Sequence, residues 1–168
     1  MKLASFETLV KALDSAQVRY LVAGGLAVNA YGYLRYTKDV DFVVQLSAAN
    51  VETAFSALFA AGYRPSVPVT AKQFSDDPTR QSWIRDKGMQ VLQFWSDTHR
   101  ETPVDIFVTE PFPFDDEYSR ALVKSLGSIP VRFVTIPTLI AMKEKAGRQQ
   151  DILDIEYLRE RLKQNAGK

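Results

Sequence analysis

The chain has no cysteine and a single histidine in 168 residues. The first absence excludes a disulfide framework and any thiolate metal site. Together the two leave Cys–His and Ser–His–Asp catalysis without support, since one imidazole in a polar turn, His99, cannot build either. A chain without cysteine fits a reducing compartment. Neither sign of charge is in excess: 21 basic and 20 acidic side chains leave a net charge of +1. The basic surplus of a dedicated nucleic-acid binder is therefore missing. Long apolar runs are missing too. The longest, Leu21 to Val28, is far too short to cross a bilayer, and Met1 to Gln17 lacks the apolar centre of a signal peptide. A soluble cytoplasmic protein with no membrane partner is expected.

What is present suits one globular domain over residues 1–168. Apolar residues make up 46% and charged residues 24% of the chain, which are ordinary globular proportions. Phe6, Leu9, Val10 and Leu13 recur at helical spacing after a capping Ser5. Val18 to Ala23 reads as a short buried strand ending at Gly24-Gly25, and a helix of about Leu26 to Tyr33 follows that glycine pair. Asp39 to Leu46 is the clearest strand, with Val40, Phe42 and Val44 on one face and Asp39 and Asp41 on the other. Ser47 caps a helix of about Ala48 to Ala61, closed by Gly62.

Beyond it the pattern weakens. Pro65 to Lys87 reads as an excursion with one or two helical turns near Thr79 to Arg85. Met89 to Trp95 and Pro103 to Thr109 form a strand pair, with Trp95 assigned to the core and Trp83 left open between packing and stacking. A short helix near Asp116 to Val123 and a strand at Val131 to Thr135 follow. Two C-terminal helices occupy about 136–165: the first opens at Pro137, a favoured first-turn position. The second carries Ile152, Ile155, Leu158 and Leu162 inward. The expected class is α+β, a mixed β-sheet flanked by helices.

The chemistry-bearing residues come in an order: strand, Gly24-Gly25, helix, Asp39-Val40-Asp41, and later Asp105 inside Pro103-Val104-Asp105-Ile106-Phe107. Glycines at a helix start let a phosphate approach free N–H groups. Two aspartates spaced by one residue on a strand project from one face and can share a cation. Mg²⁺ takes hard oxygen ligands and completes its shell with water and substrate phosphate. A third carboxylate serves a second ion, and two ions about 4 Å apart stabilise both oxygens of an in-line displacement. With 20 acidic residues in the chain, roughly two acid-x-acid pairs arise by chance, so Asp39 and Asp41 alone read as a solvated strand face. Asp105 changes the balance, because a charge in an apolar strand is costly unless paired or liganded.

Val22-Ala23-Gly24-Gly25 through Arg35-Tyr36-Thr37-Lys38-Asp39-Val40-Asp41 resembles the signature of the nucleotidyltransferase superfamily, in particular its AbiEii-like and minimal branches. Ile136 to Lys143, Gly147-Arg148 and Asp151 to Asp154 resemble the helical end of AbiEii-like proteins. The resemblance implies a polymerase-beta palm-like fold, with Asp39, Asp41 and Asp105 as catalytic ligands of Mg²⁺ or Mn²⁺. It implies a nucleoside triphosphate as substrate, Gly24 and Gly25 at its phosphates and a phosphate-facing Lys143. Many members carry serine where this chain has Gly25, which removes one hydroxyl contact.

Arg35 and Lys38 are open between phosphate or acceptor contact and solvated loop charge. Asp151 and Asp154 suit the start of a helix, where the dipole favours acids. Two functional readings compete. One is a Mg²⁺-dependent enzyme moving a nucleoside monophosphate onto a hydroxyl of tRNA, a protein or a small molecule, within a toxin or defence system that includes an antitoxin or helical partner. The other is a nucleotide- or partner-binding module that keeps the fold without turnover. A third, weaker one is a structural protein whose aspartates line a solvated groove.

Overall fold

The computed structural model describes residues 1–166. Its strands are β1 (Tyr20–Val22), β2 (Val40–Val44), β3 (Arg64–Pro65), β4 (Val91–Trp95), β5 (Val104–Phe107), β6 (Leu122–Leu126) and β7 (Ile129–Phe133). They make one mixed sheet in the order β3-β4-β5-β2-β1-β7-β6. β2 runs parallel to β5, and β1 parallel to β7; the remaining neighbours are antiparallel. Its helices are α1 (Leu3–Ser15), α2 (Gly24–Ala30), α3 (Ala48–Ala60), α4 (Ala71–Ser75), α5 (Asp77–Lys87), α6 (Phe114–Arg120), α7 (Ile136–Ala146) and α8 (Gln149–Ala166). This is the expected α+β class. No helix of the described residues is long and apolar enough to cross a membrane.

β2 is buried on both faces. Val40, Phe42, Val43 and Val44 are almost fully covered, and Asp41 is the half-buried exception. Phe55 of α3 meets Phe94 of β4 edge to face at 5.1 Å, and Phe42 meets Tyr20 of β1 in the same way. α2 packs on β2 and α7, and α7 on α8. The helices thus leave the sheet centre dry beside a pair of acidic strand positions. Burial of this kind supplies the main favourable term in folding.

The excursion at 65–87 holds two helices that hydrophobic periodicity alone did not outline. Their ends carry the signal. Thr70 and Gln73 close a reciprocal capping box on α4, and Asp76 accepts from the Thr79 N–H to start α5, which Gly88 ends in a left-handed conformation. Caps outweigh pattern here because α5 buries chiefly one charged residue, Arg80. The β6–β7 hairpin also differs from expectation. Leu126 pairs with Ile129 across Gly127-Ser128, with Gly127 at φ +61°, a two-residue turn of the type that joins antiparallel strands.

Several local expectations are corrected. Ser5 lies inside α1, which is preceded by Lys2, and its hydroxyl bonds His99 Nδ1 at 2.9 Å. Ser47 precedes α3 without a side-chain cap. Trp95 is half exposed, because alternation along β4 buries Leu92 and Phe94 instead. On α8 the buried residues are Asp151, Asp154 and Leu158, while Ile152 and Leu162 are exposed. The inward stripe therefore runs one position out of phase with the apolar one, since two aspartates find partners inside. It follows that Leu158→Ala costs about 2–5 kcal/mol of stability, whereas Ile152→Ala stays within about 0.5 kcal/mol. Chemical denaturation of the two variants checks both values.

Candidate active site

Asp41 and Asp105 occupy directly paired positions on the parallel neighbours β2 and β5. Paired residues of adjacent strands project from the same sheet face, so the two carboxylates stand side by side. Asp39 lies two residues before Asp41, just ahead of the strand, and its carbonyl accepts from Thr37 Oγ1 at 3.3 Å. The apolar alternation Val40, Phe42, Val44 turns the odd positions toward this face. Across β5, Gln93 of β4 pairs with Asp105 in register and donates from Nε2 to Asp105 Oδ1 at 3.3 Å.

Burial and mutual repulsion act on this cluster. Desolvation, then the nearby charges of Asp105 and Asp39, raise the Asp41 carboxyl from 3.8 to about 6, against the opposing pull of Arg148 and Lys143. Asp105 is also raised, first by desolvation and then by Asp39, while the Gln93 hydrogen bond and Arg148 work the other way. Among the described residues no lysine or arginine forms an ion pair with Asp39, Asp41 or Asp105; Lys143 and Arg35 pair elsewhere.

The glycine pair has a packing reason visible in the structure. Gly24 adopts φ +58°, and a Cβ there would overlap the Asp41 carboxylate. A Cβ on Gly25 would stand 2.7 Å from Thr37 Oγ1 and 3.1 Å from Arg35 Nη1. Both positions need glycine so that the segment leading to Asp39 can lie across the start of α2.

Lys143 is buried and bonds Asp151 Oδ1 at 2.8 Å and Asp154 Oδ2 at 2.6 Å. Arg35 holds the same Asp154 in a two-pronged contact, Nε–Oδ1 2.8 Å and Nη2–Oδ2 2.7 Å. Asp151 also accepts the Arg148 backbone N–H at 3.2 Å, half of the dipole-matching role expected of it. Asp154 instead sits at the centre of a buried ion network. The pattern of α8 could have signalled this: Asp151, Asp154 and Leu158 recur at spacings of three and four, one face of a helix. Lys38 is exposed beside Asp39, and Arg148 is exposed at the start of α8. His99 lies flat on Tyr63 at 5.5 Å and takes no part in this region.

The residues suit a divalent cation in their chemistry: two adjacent carboxylates, unneutralised by protein cations and partly desolvated. As the side chains stand, no group of three acidic or imidazole side chains among the described residues converges closely enough to hold an ion. Asp41 and Asp105 are the natural pair, and substrate phosphate oxygens are the customary source of further Mg²⁺ ligands.

Residues 9–166 match the family model described as nucleotidyl transferase AbiEii toxin, type IV TA system. No curated protein matches the sequence. Solved structures with a similar fold include the lincosamide antibiotic adenylyltransferase LnuA in its lincomycin-bound form, at 12% identity and TM-score 0.63, covering 95% of this chain and 97% of that one. The antibiotic-resistance factor ANT(2'')-Ia is similar at 12% identity and TM-score 0.62, with 95% and 83% covered. An antigenic nucleotidyltransferase-like protein from Paracoccidioides brasiliensis is similar at 18% identity and TM-score 0.54, with 92% and 74% covered. At these identities the likeness shows the nucleotidyltransferase fold.

Because folding raises the Asp41 carboxyl to about 6, the native state holds that proton more tightly than the unfolded chain. Stability from this group is full below the unfolded value and is lost as pH rises toward and through about 6. In metal-free buffer, Asp41→Asn therefore melts above wild type at pH ~8, by about 2–4 °C for each kcal/mol of repulsion relieved, and loses that advantage near pH ~4. Scanning calorimetry at the two pH values measures it.

Proposed function

The chain belongs to the AbiEii family of nucleotidyl transferases, and from that premise we propose that Asp39, Asp41 and Asp105 form the centre that moves a nucleoside monophosphate from an NTP to an acceptor hydroxyl. The observation that carries this reading is the Asp41–Asp105 register pair, crowded, partly desolvated and without a protein cation. Mg²⁺ or Mn²⁺ held there supplies charge stabilisation at the attacking and leaving oxygens.

The chain's own residues do the rest by position and charge. Asp41 and Asp105 would hold the divalent ion between them, and Asp39 completes the acidic edge. Gly24 and Gly25 give the start of α2 no side chains of its own, so that the Asp41 carboxylate lies directly against it and its free N–H groups favour phosphate beside that carboxylate. Lys38 and Arg148, exposed cations bordering the carboxylates, meet phosphate oxygens that develop charge. Gln93 occupies one oxygen of Asp105 with a neutral donor, which leaves the second free to take the proton of the acceptor hydroxyl. A cationic donor in that place would compete with the metal.

The acceptor is a tRNA end, a protein hydroxyl or a small molecule, and a toxin or defence role in the cytoplasm accompanies the family. Incubation with each labelled NTP, Mg²⁺ or Mn²⁺, and total tRNA, protein extract or aminoglycoside and lincosamide acceptors tests the reading. Label transfer is expected with one acceptor class, falling at least about 10²-fold in Asp41→Ala and Asp105→Ala. Tight NTP binding with no transfer to any acceptor would instead establish the non-catalytic module.

A further inference from the structure

The extended segment 33–39, which delivers Asp39 to the site, pairs with no strand among the described residues. Its position is set by side chains and by the Met1 amino terminus, which donates to the Thr37 carbonyl at 3.3 Å. Residues alternate along it: Leu34, Tyr36 and Lys38 are exposed, and Tyr33, Arg35, Thr37 and Asp39 are half-buried. Tyr33 stacks on Tyr157 of α8 at 4.9 Å. The Asn29 side chain brackets the Arg35 backbone, donating to its carbonyl at 2.9 Å and accepting its N–H at 3.1 Å. Arg35 then forks onto Asp154, which is fully buried and shared with Lys143. Thr37, two residues on, bonds the Asp39 carbonyl.

We infer that Arg35 is a positioning residue: its fork onto Asp154 clamps segment 33–39 to α8 and thereby holds Asp39 beside Asp41, and Lys143 braces the same carboxylate from below. Two cations, Arg35 and Lys143, face two acids, Asp151 and Asp154, so the network is neutral within itself and presents no spare charge to a phosphate. A planar guanidinium suits this place because it grips both carboxylate oxygens at once. Losing one member leaves a buried charge without its partner, the costly event in such networks. The phosphate-binding cations are then those outside the network, Lys38 and Arg148. The functional half of this inference rests on the nucleotidyl-transfer reading; the clamp itself does not.

The test uses hydrogen–deuterium exchange on the free 168-residue chain, without nucleotide, for wild type, Arg35→Ala, Asp154→Asn and the double variant. Asp154→Asn keeps the Lys143–Asp151 pair. A clamp predicts that amides of 33–39 exchange about tenfold faster or more in each single variant, and no faster in the double than in Asp154→Asn alone, because the Arg35–Asp154 contact is already lost there. Arg35→Lys keeps the charge, lacks the fork and falls between; it also serves if Arg35→Ala fails to fold. Mn²⁺ binding followed by electron paramagnetic resonance should weaken in parallel. Unchanged exchange in Arg35→Ala or Arg35→Lys, with NTP affinity lost there and kept in Asp154→Asn, would make Arg35 a phosphate ligand and overturn the clamp. Exchange that rises as expected in a chain showing no transfer would leave the clamp standing and count only against the enzymatic reading.

Discussion

Two aspartates forced into register on adjacent parallel strands set the terms for the rest of this structure. Neither Asp41 nor Asp105 can turn away, because Val40, Phe42, Val104 and Ile106 on the opposite face are locked into the core. The strands hold the carboxyl groups together against their repulsion, and both are pushed up from the usual carboxylate range. A protein built only for stability would place a lysine or arginine here, or an apolar pair. The region has cations to spare, yet Lys143 and Arg35 are engaged by Asp151 and Asp154. Crowded acids kept free of protein cations suit an incoming metal–phosphate complex, whose charge offsets theirs only when substrate is bound.

The C-terminal helices belong to the same physical unit as the acidic strands. α8 sends two aspartates inward where its sequence offers apolar alternatives, and it leaves Ile152 and Leu153 in solvent. That arrangement sacrifices apolar burial for a neutral ion network joining α7, α8 and the segment before β2. Gly24 and Gly25 complete the joint from the other side, by letting Asp41, Thr37 and Arg35 close over the start of α2. Glu117 of α6, also buried, accepts from the Thr135 N–H and the Thr138 hydroxyl at the opening of α7, fixing the helix from which Lys143 projects.

Much of this was legible before any coordinates. Strand β2 announced itself through alternation, and the order of glycine pair, Asp-x-Asp and later aspartate suggested one site because each residue type had a use there. The family resemblance at both ends of the chain agreed. The rest was hidden for identifiable reasons. Helices α4 and α5 are declared by caps at Thr70 and Asp76 more than by an apolar stripe. Strand β6 is half polar, and its turn, Gly127-Ser128, was the cue that would have found it. Trp95 was misassigned because residue size suggested burial where strand phase dictates exposure. The spacing of Asp151, Asp154 and Leu158 could have signalled the buried acids, but not their partner, because Arg35 and Asp154 lie 119 residues apart, a separation that local pattern cannot bridge; the network engages Lys143, which the resemblance had turned toward phosphate, and Arg35, which the sequence left open.

The most direct measurement is titration calorimetry of Mg²⁺ with a non-hydrolysable NTP into wild type and into Asp105→Asn. The account predicts saturable heat for wild type that requires metal and nucleotide together, and its loss when the Asp105 charge is removed. Equal heat in the two proteins, or nucleotide binding that ignores Mg²⁺, would contradict the claim that the β2–β5 carboxylates are the metal-bearing heart of the site.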